Sequence, residues 1–159
     1  MNFYNSPSFG RLNTVEVQNH INCFMKEAKD YKYSVIIGSD SQKKNNGQKT
    51  DFVTAIIVHR IGSGGIYFWR RIIDTRPKAL KQRIFEEALL SIITAQELLD
   101  LFKKNGILGF NFEIHVDMGQ KGATREWINE VVGMVRNSGF TVKTKPDAYG
   151  ASKVADRHT

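Results

Sequence analysis

The chain has 159 residues, 41% apolar and 25% charged, with a formal net charge of +7 and one cysteine, Cys23. That length closes one hydrophobic core, so a single domain over 1–159 is expected, with an N-terminal arm and helix in 1–30 and the core in 31–159. A lone thiol excludes an intramolecular disulfide. With no basic-then-apolar leader and no bilayer-length apolar run, a cytoplasmic location without a membrane partner is expected.

Residues 1–12 mix Asn, Ser, Pro and Gly with Phe3, Tyr4 and Phe9, and read as an irregular arm. Asn13 followed by Glu16 has the spacing of a capping box, and Val15, Ile21, Phe24 and Met25 predict an amphipathic helix ending near Asp30. From Tyr33 to Ile73 the pattern turns to strand. One strand passes through Asp40 to a polar tip at Lys43–Gly47, a second spans Phe52–Val58, and a third follows the Gly62–Gly65 turn over Ile66–Ile73. A long helix is predicted over Lys78–Lys104, with Glu87 inside the stripe of Leu80, Ile84, Ala88, Ser91, Ala95, Leu98 and Phe102. A strand to Asp117, a helix over Ala123–Asn137, a strand over Phe140–Lys145 and a short terminal helix through Val154 and Ala155 complete the chain.

Hairpins join neighbouring strands, whereas a helical crossover returns the chain parallel and right-handed. The expected fold is therefore α/β, a five-stranded mixed sheet of order 3-2-1-4-5, counting those five strands along the chain, with helices on both faces. Strands one and four become parallel neighbours. The ligand crevice of such a sheet lies beyond their carboxyl ends, where Asp40 and Asp117 fall. Two adjacent carboxylates repel unless one takes a proton or a cation sits between them, and Mg²⁺ suits hard oxygen ligands. Glu87 on the crossover helix offers a third oxygen donor. A fourth comes from Asp156 or Asp147, with Asp156 preferred because Asp147 after Pro146 reads as a helix N-cap.

This order of elements, with an Asp in strand one, a Glu in the crossover helix, an Asp ending strand four and an Asp in the last helix, resembles the ribonuclease H-like superfamily. More narrowly, Ile37-Gly38-Ser39-Asp40-Ser41-Gln42, His115-Val116-Asp117, Lys145-Pro146-Asp147-Ala148-Tyr149 and Val154-Ala155-Asp156-Arg157 resemble the YkuK family of small bacterial proteins. The resemblance implies a metal-dependent nuclease-type site of Asp40, Glu87, Asp117 and Asp156, with two Mg²⁺ or Mn²⁺ ions sharing Asp40. It implies no substrate, and the chain lacks the separate basic handle helix that grips an RNA–DNA hybrid.

On this reading Lys43, Lys44, Arg70 and Arg71 hold flanking phosphates of DNA or RNA, with Gln42 near the metal edge. His115 reads as a hydrogen-bonded core residue, His158 as part of a frayed terminus, and Tyr67 and Trp69 as sheet packing. The alternatives are a non-catalytic nucleic-acid-binding module and a protein-interaction domain on the same scaffold.

Overall fold

The computed structural model describes residues 2–119, 121–145, 147, 154, 155, 157 and 158. Its first departure from expectation is at the start. The segment read as an irregular arm is a hairpin, β1 (Phe3–Ser6) and β2 (Gly10–Asn13), paired antiparallel from Phe3↔Asn13 to Ser6↔Gly10. Alternation explains why: Tyr4, Ser6 and Leu12 turn inward while Phe3, Gly10 and Arg11 stay exposed, and four-residue strands are too short to stand out from turn residues. Helix α1 (Thr14–Glu27) then begins on a complete capping box, with the Glu16 amide donating to the Asn13 side chain at 2.9 Å and the Asn13 amide to Glu16 at 2.7 Å.

Strands β3 (Tyr33–Lys44), β4 (Lys49–Arg60) and β5 (Gly65–Asp74) form an antiparallel meander. The β3–β4 tip turns through Asn45, Asn46 and Gly47, all at positive φ, residue types that tolerate the left-handed region. Helix α2 (Leu80–Lys104) crosses to β6 (Phe110–His115), which pairs parallel to β3 from Tyr33↔Phe110 to Gly38↔His115. A 3₁₀ turn (Arg125–Trp127) leads into α3 (Ile128–Asn137), so the α-helix starts later than the expected Ala123. β7 is confined to Thr141–Lys143, shorter than Phe140–Lys145, and pairs parallel to β6.

The sheet thus has seven strands in the order β2-β1-β5-β4-β3-β6-β7, which corrects the expected five-stranded sheet and its order. The hairpin at the β5 edge, joined through Asn5↔Trp69, supplies the two strands that composition concealed. One face carries Val35, Ile37, Ile56, Val58, Phe68 and Ile114, sealed by α1, α2 and α3 through Val17, Ile21, Leu98, Phe102, Val131 and Val135. The other carries a small cluster of Val53 and Ala55 under Ala155, with Trp69 and Val154 at its margin. No helix among the described residues is long and apolar enough to cross a membrane.

Candidate functional site

The site forms where the parallel ladder stops. β6 ends at His115, paired with Gly38, while β3 runs on to Lys44, among the described residues beside β4 alone. Asp40 and Asp117 each lie two residues past that last pair, in matching register, although Asp117 has already left the strand. Because side chains alternate, Gly38 and Asp40 face the thinly covered side, and Ser39 and Ser41 face α2. The missing neighbour beside β3 opens a gap through which a group from α2 reaches the acids.

Glu87 is that group. Two residues along β3 cover about 6.6 Å and one helical turn about 5.4 Å, so successive inward serines meet successive turns of α2. The Ser39 hydroxyl lies 2.8 Å from both Thr54 and Ser91, and one turn earlier Ser41 donates to Glu87 at 2.5 Å. Arg83, a turn before Glu87, donates its Nε to Ser41 at 3.2 Å. Neighbouring Glu86 instead binds Lys78 at 2.7 Å, which separates the outward acid from the inward one. Burial, together with the nearby charges of Asp40 and Asp117, pushes the Glu87 carboxyl up to about 8, against the lowering influence of Ser41 and Arg83.

Asp117 is the central residue of a tight turn closed by the Met118 amide on the Val116 carbonyl at 2.9 Å. The Lys145 amide donates to the Met118 carbonyl at 2.7 Å, and Lys145 Nζ reaches Asp117 at 2.7 Å. Gly119 permits this approach, since a Cβ there would sit 3.2 Å from the Lys145 Cβ. His115 is buried and bonds through Nε2 to Glu113 at 2.8 Å, the core role expected for it. Its Nδ1 is buried with no hydrogen-bond partner among the described residues, and His115 lines a small crevice with Ser39, Glu87 and Asp117.

Among the described residues, no three His, Cys, Asp or Glu side chains stand close enough to form a metal-ligand group. Asp156 lies outside the described residues, so its contribution is not part of this geometry; Asp147 is exposed. In donor chemistry, Asp40, Asp117 and Glu87 are hard oxygen groups of the kind a divalent cation takes, and burial first, with the charges of Asp40 and Asp117 adding to it, favours the protonated form of Glu87.

Of the phosphate candidates, Lys43 and Lys44 are exposed near the hairpin tip and Gln42 is half-buried on the Asp40 face. Arg70 is a correction. It is 6% exposed and donates to Thr94 at 3.0 Å, because alternation turns it under α2 and leaves Arg71 on the open face. Arg71 pairs with Asp51 at 3.2 Å and donates to the His158 carbonyl. His158 is not frayed: it stacks on Trp69 with ring centroids 4.2 Å apart.

A family profile described as Ribonuclease H-like matches residues 16–159. The chain belongs to the ribonuclease H-like family. It is also 32% identical to the "Uncharacterized protein YkuK" of Bacillus subtilis (strain 168), over 99% of this chain and 96% of that protein. No solved structure matches it. In this ribonuclease H-like chain, sequence reasoning missed Asp51, buried on the Asp40 face, and the partners Ser41, Arg83 and Lys145. Ser41 and Arg83 carried a signal, since one follows Asp40 directly and the other precedes Glu87 by one turn. Lys145 carried none, because its contact is made by the turn after β6.

Proposed function

We propose that the protein is a metal-dependent nuclease hydrolysing DNA or RNA phosphodiesters. The observation that carries this is the placement of Asp40 and Asp117 two residues past the last parallel pair, with Glu87 on α2 near enough for their charges to add to burial in raising its carboxyl to about 8. Asp40, Asp117 and Glu87 would hold Mg²⁺ or Mn²⁺, with Asp156 as the fourth donor. Bound there, the ions would activate water and offset charge on the phosphoryl group and the leaving 3′ oxygen. Ser41 and Arg83 orient the Glu87 carboxyl, and Lys145 holds Asp117. Lys43, Lys44, Gln42 and Arg71 orient the strand by its phosphates.

A second reading has support of its own. The Lys145–Asp117 pair and the Ser41–Glu87 hydrogen bond satisfy two of the acids without a cation, as suits a nucleic-acid-binding module without cleavage. The two readings separate on a labelled panel of single strands, duplexes, hybrid and junction, with Asp40→Asn and Asp117→Asn beside the unaltered chain. We expect chelator-sensitive cleavage that falls more than about 100-fold in either variant, beyond the usual loss from an outer-sphere metal partner. Cleavage that survives both substitutions sinks the metal site, and salt-sensitive binding with no cleavage selects the binding module.

A further inference from the structure

The face that carries Asp40 continues across the sheet to the N-terminal hairpin. Gly38, Ala55, Trp69, Asn5 and Arg11 form one row through β3, β4, β5, β1 and β2, and Asp40, Val53 and Arg71 form the next. Beside the Asn5↔Trp69 pair, a pocket lies between β1 and β5, lined by Asn2, Phe3, Asn5, Arg11, Arg70 and Arg71. Its polar side chains among the described residues are amides and guanidiniums, and none of those residues contributes a carboxylate to the lining.

Each donor is poised differently. Arg11 is exposed, stacks its guanidinium 4.2 Å from the centre of the Phe3 ring, and makes no ion pair among the described residues. The side chains of Asn2 and Asn5 make no hydrogen bond to a described residue. Arg70 is 6% exposed, and its enclosed Nε has no hydrogen-bond partner among the described residues. That Nε is enclosed and the guanidinium donates to Thr94 under α2, so Arg70 lends the pocket positive charge rather than a direct contact. Arg71 is partly neutralised by Asp51, so Arg11 is the charge a ligand meets first. Guanidiniums and amides converging without an acid select an anion rich in acceptor oxygens.

We infer that this pocket binds a phosphate, and that its occupant is a backbone phosphate of the nucleic-acid strand that reaches Asp40. The strand's identity rests on the nuclease reading; the phosphate rests on the pocket's own donors. With strands about 4.8 Å apart, Arg71 lies about 10 Å and Arg11 about 19 Å across the sheet from Asp40, within reach of one short oligonucleotide. Asn2, Asn5 and Arg11 precede the segment matched by the family profile, so the hairpin's share of the lining lies outside that match while Arg70 and Arg71 lie within it.

The test is fluorescence anisotropy of a short labelled single strand in EDTA, over a series of KCl concentrations, with Arg11→Gln and, as a charge-matched control in the exposed turn after α1, Lys29→Gln. Arg11 is exposed on an edge strand, so the substitution leaves the fold intact. We expect Arg11→Gln to weaken binding about threefold and to lower the slope of log K against log salt by about 0.7, the value for one phosphate contact; Lys29→Gln leaves the slope unchanged. Equal affinity and slope for Arg11→Gln and the unaltered chain overturn the inference. If the unaltered chain binds no strand, the nuclease reading fails, and titration with inorganic phosphate against matched chloride, read at the Arg71 Nε–Hε resonance, decides the pocket alone. A saturable shift lost in Arg11→Gln upholds a phosphate pocket, and no saturable shift overturns it.

Discussion

The two faces of the sheet divide the labour of this protein. The face under α1, α2 and α3 is a thick apolar layer in which Phe102, Val131 and Val135 are fully enclosed. The opposite face has, among the described residues, a core of Val53, Ala55 and Ala155, fringed by Trp69 and Val154. That thin cover allows β3 to present Gly38, Asp40 and Gln42 on one side. On the other side its polar residues, Ser39 and Ser41, had to find buried partners on β4 and α2. Apolar packing is concentrated on one face, Asp40 stands on the other, and Glu87 reaches from the packed side to within the influence of its charge.

The largest expected effect tests that division. Phe102→Ala should cost about 3–5 kcal/mol of unfolding free energy, as truncation of an enclosed aromatic does, while Val53→Ala on the thin face should cost about 1.5 kcal/mol. Denaturant unfolding of both variants checks it. Equal costs would mean that the thin face is a second core rather than a cover.

The next effect is smaller and depends on pH. Glu87 holds its proton up to about pH 8 in the folded chain, against an ordinary value of 4.5. The folded state therefore binds the proton more tightly than the unfolded one. This contribution is fully present below about pH 4.5 and is lost as pH rises to about 8, at no more than about 1.4 kcal/mol per pH unit. In EDTA, stability measured against pH should fall more steeply in the unaltered chain than in Glu87→Gln, and Mn²⁺ should restore it at the alkaline end. Parallel profiles for the two chains would show that α2 does not hold Glu87 among the other acids.

The central part of this arrangement was legible in the chain because period and spacing carry it. The crossover rule makes β3 and β6 parallel neighbours, and the stripe on α2 turns Glu87 inward while Glu86 meets Lys78. Short elements were not legible. Four-residue strands rich in Asn, Ser and Gly gave no period to read, so the β1–β2 hairpin and its pocket were hidden. Arg70 was misjudged because two adjacent arginines look alike until alternation assigns them to opposite faces. The Lys145–Asp117 contact depends on a turn and a close approach at Gly119, which no local pattern announces.

The smallest effect bears most directly on which reading of the site holds. Lys145 Nζ lies 2.7 Å from Asp117, with its side chain 57% exposed, so Lys145→Gln should cost less than about 1 kcal/mol of stability. Its sign in cation binding is the informative part. If Asp117 is a metal ligand, Lys145 competes with the cation for the same oxygen, and its removal should tighten Mn²⁺ binding by up to about fivefold in calorimetry. If instead the lysine stands where a cation would be needed, the substitution leaves Asp117 without its partner, stability falls, and no Mn²⁺ uptake appears. The two outcomes differ in direction, so a modest surface substitution separates a site that lysine restrains from one that lysine has replaced.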